Sequence, residues 1–307
     1  MFEALQLGPL FLWTRVIFLL VGIWLSTELF LRLAQSATLS LQHFQEKGWW
    51  YLLAFLLGGR MAALIAEYKV YVRDPMRMLV FWDGGFSFLG GAIGIALVLG
   101  YVTRGHRSTF LHWLDALVPS ACLGLVFSWL GAFFAGQNYG RPTDVFWGVT
   151  YDAMNVRYAV PLHPVQLYYA FFFFTLTFVL LIIRKYAKHV GTETLIGIAA
   201  ASIGTFFLES FRGDLSIPVF ATQLDFTILV GLFVSLGVFA VIENRLSEKW
   251  FLIYQLLLGV AVTAYIAIRP FLDFEAYELR FTQLLALLAL LGTIVYVLVQ
   301  RRKFPHL

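Results

Sequence analysis

Apolar residues run along this chain in long, nearly unbroken stretches separated by short polar connections. Nine of them, at roughly residues 10–31, 49–67, 85–102, 110–135, 165–183, 193–211, 222–242, 250–268 and 281–300, approach the ~20 residues needed to cross the hydrocarbon core of a bilayer. The short alternating segments of a membrane β-barrel are absent. Backbone polar groups in lipid have to be satisfied within the segment, so each stretch is predicted as a helix. The expected fold is an all-α polytopic membrane bundle of about nine spans.

Composition supports this pattern. Of the 307 residues, 60% are hydrophobic and 13% charged, against about 25% charged in a soluble domain. Mean hydropathy is +0.80. So few charges do not cover the surface of a soluble fold, which makes lipid the solvent. The net charge of +4 is scattered, with no basic tract of the kind that binds nucleic acid. Twelve Lys and Arg flank one side of the predicted spans, among them Arg104, Arg184, Lys185 and Arg301. Eight flank the other, among them Arg73, Arg141, Arg212 and Arg280. The richer side is expected to be cytoplasmic, with the N-terminus outside and the C-terminus inside. No cleavable leader is expected, because the start lacks a basic stretch and its first apolar run is too long. The one cysteine, Cys122, allows no intrachain disulfide, and no metal-ligand spacing occurs.

Three segments interrupt the apolar pattern. Trp82-Asp83-Gly84-Gly85-Phe86-Ser87-Phe88-Leu89-Gly90-Gly91-Ala92-Ile93-Gly94 carries five glycines, which permit close helix packing or a break. Gly136-Gln137-Asn138-Tyr139-Gly140-Arg141-Pro142-Thr143-Asp144, with Trp147-Gly148, reads as ordered turn structure in the longest connection. In His163-Pro164-Val165-Gln166-Leu167-Tyr168, Pro164 suits a helix start, and His163 and Gln166 are spaced to share a face. Glu209 and Arg212 form an i,i+3 pair at a span end, and Arg60 lies inside the second span, where an arginine is costly and functional by default. All fall toward one side of the membrane, the outer side under the charge-derived topology. Arg15 is expected to snorkel to outer headgroups, and Asp115 to reach the inner interface.

Taken in order, these residues resemble the prolipoprotein diacylglyceryl transferase family of bacterial inner membranes. The matching stretches are Leu7-Gly8-Pro9-Leu10, Gly58-Gly59-Arg60, Trp82 to Gly91, Asp115 to Pro119, Asn138 to Asp144 with Trp147-Gly148, His163 to Tyr168, and Glu209-Ser210-Phe211-Arg212. They cover about residues 1–242. The resemblance implies a seven-span enzyme that moves the diacylglyceryl group of phosphatidylglycerol onto the lipobox cysteine of a prelipoprotein, with no metal or soluble cofactor. The residues it implies as catalytic are His163, Arg60 and Arg212. Those it implies as substrate-binding are Ser87, Gly90, Gly91, Gln137, Asn138, Tyr139, Arg141, Gln166, Tyr168 and Glu209. Phospholipid and prelipoprotein are the implied partners.

The chain departs from the family pattern where that chemistry lives. Leu89 stands where the family has His. Trp129, Ala132 and Thr205 stand at its Arg, Asn and Arg positions, Leu162 at the Arg before His-Pro, Gln137 at a Glu, and Tyr169 at the Glu after Gln-Leu-Tyr. Residues 243–307 add two spans and a basic tail, a candidate surface for a membrane-protein partner. The sequence is therefore read as a family member that binds phospholipid in an outward-facing cavity with weak or no transfer. An active transferase is the alternative. A channel or transporter is disfavoured, because too few intramembrane charges exist to line an ion path.

Overall fold

The computed structural model describes residues 4–7, 10–66, 71–72, 75–76, 86–104, 106–151, 156, 158–187, 189–214, 218–222, 248–271 and 276–303. The expected span at 222–242 and the Trp82–Gly85 part of the glycine-rich segment lie outside them. The described chain is predominantly helical and falls into two units, Met1–Ile217 and Pro218–Leu307.

Among the described residues the first unit has the helices α1 (Thr14–Ser36), α2 (Gln42–Ala66), α3 (Phe88–Val102), α4 (Arg107–Phe134), α5 (Val165–Tyr186) and α6 (Thr192–Leu208). Among the described residues, five segments are long and apolar enough to cross a membrane: Thr14–Ser36, Glu46–Ile65, Ser108–Phe134, Val165–Tyr186 and Thr192–Phe211. Phe88–Val102 is a shorter apolar helix. The apolar run expected to begin a span at residue 10 is divided. Ala4–Leu7 (β1) and Leu10–Trp13 (β2) form an antiparallel ribbon, and the helix starts only at Thr14.

Local chemistry sets the helix ends. Ser87 caps α3 by accepting from the Gly90 N–H at 3.2 Å, and its own N–H donates to the Gly59 carbonyl at 3.0 Å. At the other end of the bundle, the Asp115 carboxylate of α4 accepts from the Gly191 N–H at 2.6 Å, the Thr194 N–H at 2.9 Å and the Thr194 hydroxyl at 2.7 Å. These satisfy first-turn donors of α6. Asp115 is 8% exposed, so it does not reach the interface as expected; it closes a neighbouring helix inside the protein. Arg184 joins the same end. It donates to the carbonyls of Leu33 at 2.8 Å and Asp115 at 3.3 Å, and pairs with Glu193 at 3.2 Å.

Packing explains the glycines. A Cβ on Gly94 would collide with the Ala54 carbonyl, one on Gly58 with the Gly90 carbonyl, and one on Gly90 with Ala62. Helices α2 and α3 therefore cross with their backbones in contact, the arrangement small residues allow in membranes. Gly91 receives the Phe55 ring and Gly59 the Phe86 ring in the same way. On the other side α1 runs along α4, and α4 along α5. The core clusters gather Phe30, Leu33, Trp113 and Leu117 toward one end of the bundle, and Val126, Val165, Tyr169 and Phe173 toward the other.

In the second unit, Pro218–Thr222 (β3) pairs antiparallel with Ala276–Arg280 (β4), from Pro218 opposite Arg280 to Thr222 opposite Ala276. Two helices accompany them, α7 (Glu248–Ile268) and α8 (Phe281–Lys303).

Candidate functional site

The site is organised by the connection between α4 and α5. Helix α4 ends with the Gly136 N–H on the Phe133 carbonyl and the Gln137 N–H on the Ala132 carbonyl, at 3.2 and 2.9 Å. Gly136 and Asn138 take left-handed backbone, φ 64° and 56°, a conformation that glycine and asparagine accept most readily. The chain then weaves across the segment after α6. The Arg141 N–H donates to the Phe211 carbonyl and the Gly213 N–H to the Tyr139 carbonyl, both at 2.9 Å, while the His163 N–H donates to the Arg141 carbonyl at 3.0 Å. Gly140 sits where a Cβ would strike the His163 carbonyl. Segments that are distant in sequence are thus fixed by backbone bonds.

Gln166 bolts this weave to α5. It is fully buried, accepts from the Tyr151 hydroxyl at 2.9 Å, and donates to the Gln137 carbonyl at 2.6 Å. Burial pushes the Tyr151 hydroxyl up to about 12, so it stays a neutral donor. His163 lies before the helix, which begins at Val165 after Pro164, so it and Gln166 point to different partners. Its Nδ1 lies 3.1 Å from the Tyr168 hydroxyl, which also accepts from the Trp147 indole N–H at 2.6 Å. The Phe211 ring packs against the imidazole with centroids 5.3 Å apart. Trp147, Tyr158 and Phe211 are each 40–48% exposed, which makes this rim an aromatic belt of the kind found at membrane interfaces.

Arg212 is held on every side. Its NH1 pairs with Glu209 at 2.8 Å, its Nε and NH2 with Asp214 at 2.9 and 2.5 Å, and NH2 also donates to the Asn138 amide oxygen at 3.3 Å. Burial opposes its charge, yet Glu209 and Asp214 outweigh burial and raise its pKa above the ordinary value. The Glu209–Arg212 pair is buried rather than solvated, with side chains 1% and 10% exposed. Two carboxylates thus engage the one guanidinium. Tyr169 completes it by donating to Glu209 at 2.8 Å.

Positions 129 and 205, read separately as departures from a family pattern, each touch a third, Tyr169. The Trp129 and Tyr169 rings stack with centroids 4.0 Å apart and an interplanar angle of 3°, and the Tyr169 hydroxyl lies 3.3 Å from the Thr205 carbonyl. An uncharged aromatic stack occupies this place, between α4, α5 and α6. Leu89, at another departure, is 53% exposed on α3.

The remaining residues divide. Gln137, Asn138, Tyr139, Arg141, His163, Gln166, Tyr168, Glu209 and Arg212 are joined by the bonds above. Ser87, Gly90 and Gly91 lie at the α2–α3 crossing. Arg60 is buried on α2 with its guanidinium over the Tyr71 ring, 5.2 Å from the centroid. The hydrogen bonds described above do not pass through these four. Arg15 was missed as a site residue. Instead of reaching headgroups alone, it donates to the Gln137 side chain, at a point where Gly131 lets α4 approach the α1 backbone. Its position in the first turn of a predicted span was the available signal. Arg141 is exposed at the rim, with Nε on the Arg212 carbonyl at 3.2 Å. The described residues hold no group of three metal-ligating side chains.

Comparison with known proteins adds a lineage to this geometry. The family described as prolipoprotein diacylglyceryl transferase matches residues 3–247. Among similar proteins, the phosphatidylglycerol–prolipoprotein diacylglyceryl transferase of Wolbachia pipientis is 32% identical over 166 residues, 52% of this chain and 62% of that protein. The enzyme of that name from Azospirillum brasilense is 33% identical over 211 residues, 67% of this chain and 75% of its own length. The one from Pseudoalteromonas atlantica is 29% identical over 212 residues, 65% and 74% of the two chains.

Proposed function

This chain belongs to the prolipoprotein diacylglyceryl transferase family, and from that membership we propose that it binds a phosphatidylglycerol-like phospholipid beside the α4–α5 connection with weak or no diacylglyceryl transfer. The observation that carries this reading is the engagement of Arg212 by two carboxylates. Phosphate departure needs cations or strong donors aimed at the developing charge. Here the buried arginine is engaged by Glu209 and Asp214, and beside it Trp129 stacks on Tyr169 where the family pattern has charge. Removing one preorganised donor of this kind costs about 10²–10³ in rate, and several are replaced at once.

Lipid binding is supported by the family membership, by exposed Arg141 on an aromatic rim, and by Arg15 close to Gln137. The proposed setting is the bacterial inner membrane, with this rim outward and the C-terminus inside. Residues 243–307 are proposed as a docking surface for a membrane partner.

A second reading is an active enzyme that moves diacylglyceryl from phosphatidylglycerol to a lipobox cysteine. The relatives' names favour it more directly than they favour a binding role. In that case His163, held by Tyr168, is the available base, and Arg15, Arg60 and Arg141 the available cations. Incubation of the purified protein with labelled phosphatidylglycerol and a lipobox peptide separates the two. The first reading expects retained lipid without thioether product. Turnover comparable to an intact family enzyme would establish the second.

A further inference from the structure

A separate cavity of about 460 Å³ opens among α1, α2, α3 and α4, away from the candidate site. It exists because of how the helices pair. Helix α1 lies along α4 and α2 along α3, so a gap remains between α1 and α2. Its wall includes Ser26, Phe30, Gln35, Gly48, Phe55 and Phe88, and is apolar apart from a few hydroxyl and amide groups. We infer that this slot holds one acyl chain of a phospholipid in the leaflet opposite the candidate site. The inference does not depend on the lipid reading of that site.

Length, depth and volume support one chain. Along α1, Gln35 lies nine residues beyond Ser26, about 14 Å at 1.5 Å per residue. One leaflet contributes about 15 Å of the ~30 Å hydrocarbon core. From Ser26 back to Arg15, beside the candidate site, is another eleven residues, about 16 Å. Ser26 therefore stands near mid-bilayer, and Gln35 at the far surface. That surface is marked independently by Trp49 and Trp50, 80% and 62% exposed, directly after Gly48. Helix α2 breaks its regular geometry at Lys47, with φ −123° and ψ 28°, at the mouth of the slot. The volume is roughly three times the ~150 Å³ of an apolar cavity that takes up benzene, which gives room for about eighteen carbons.

The slot is a built feature rather than a surface dent. The Ser26 hydroxyl lines it, is buried, and makes no hydrogen bond. A helix serine can donate to a carbonyl three or four residues before it, as Ser36 does to Leu33 and Ser120 to Ala116; the Ser26 hydroxyl does not. A chain end would cover it without satisfying it, so Ser26→Ala should bind at least as well as the natural protein.

The test uses the full chain in nanodiscs containing phosphatidylethanolamine, whose zwitterionic headgroup limits competition for the arginines of the candidate site. One acyl chain carries a diazirine, placed either next to the methyl end or next to the ester. On irradiation, methyl-end probes should mark Ser26, Phe55 and Phe88, and ester-end probes the Gln35–Gly48 segment. Gly48 has no atom within 4 Å of an added Cβ, so Gly48→Phe is accommodated and obstructs the mouth. It should lower the slot adducts at least fivefold and leave adducts on the lipid-exposed Leu20 and Leu97 unchanged. Three results would overturn the inference: methyl-end adducts no more frequent at Ser26 and Phe88 than at Leu20 and Leu97; no response to Gly48→Phe; or ester-end adducts on α1 confined to the neighbourhood of Arg15, the pattern of a lipid held only at the candidate site.

Discussion

Two largely buried arginines stand near the two ends of α5, each beside a glutamate and an aspartate, and they do different work. Arg184 and its acidic neighbours are used up on helix ends. The guanidinium reaches the last-turn Leu33 carbonyl of α1, and Asp115 takes the first-turn donors of α6. Four helices are joined, and each polar group has a purpose set by the fold. Arg212 is held by side chains instead. Its partners are Glu209 three residues before it, Asp214 two after it, and Asn138 in the connection. Residue types and charge ratio are the same in both places, so composition does not separate scaffold from site. What separates them is whether the partners are backbone groups that the fold must satisfy.

The largest expected effect breaks the first cluster. Asp115→Ala strands buried donors and leaves Arg184 with less countercharge, and should cost about 3–5 kcal/mol, the range for breaking a buried ionic network. Loss of monodisperse protein on heating, compared with Arg141→Ala at the exposed rim, measures it; equal behaviour of the two would remove the scaffold assignment. Next is Gln166→Leu. It leaves the Tyr151 hydroxyl and the Gln137 carbonyl without partners, at about 1–3 kcal/mol each, and should make the 136–164 connection several-fold more sensitive to limited proteolysis. Cleavage elsewhere should be unchanged.

A gentler change sharpens the contrast at Arg212. Asp214→Asn removes the charge of one of the two carboxylates that hold Arg212, so phosphatidylglycerol should bind more tightly, by up to about tenfold, or about 1.4 kcal/mol. Weaker binding, seen in a lipid titration by native mass spectrometry, would mean that the aspartate orients the arginine for the lipid. The smallest effect belongs to Ser26→Ala, which removes an unsatisfied hydroxyl. Stability should rise by less than about 1 kcal/mol, in line with the modest worth of polar contacts in membrane bundles, and a fall in the unfolding temperature would indicate a partner for that group.

The spans were legible because a bilayer leaves a long apolar run one solution, and the bounds of α4, α5 and α6 differ from expectation by a few residues only. The ribbon before α1 was hidden because Leu10–Trp13 is as apolar as the helix that follows it. The glycines read as packing devices met that description at Gly90, Gly91 and Gly94, since spacing alone identifies a small-residue face. Other features required the third dimension. Trp129, Tyr169 and Thr205 are 40 and 36 residues apart in order, and only helix packing turns them into one neutral cluster. Asp115 looked interfacial because its depth was counted along one helix, whereas its partners belong to another. Arg15 needed the α1–α4 contact at Gly131 to be seen beside Gln137.

We propose that this family member has kept its ordered connection while its charge machinery has been neutralised. The most direct measurement is thioether formation on a lipobox peptide by the purified natural chain in phosphatidylglycerol vesicles, run beside an intact family enzyme. The account predicts bound phosphatidylglycerol and product at least about 10³-fold below that enzyme, unimproved by Leu89→His, because a restored base still leaves the phosphate without its cations. Family-like turnover, abolished by Arg60→Ala or His163→Ala, would contradict it and make those surviving groups the catalytic ones.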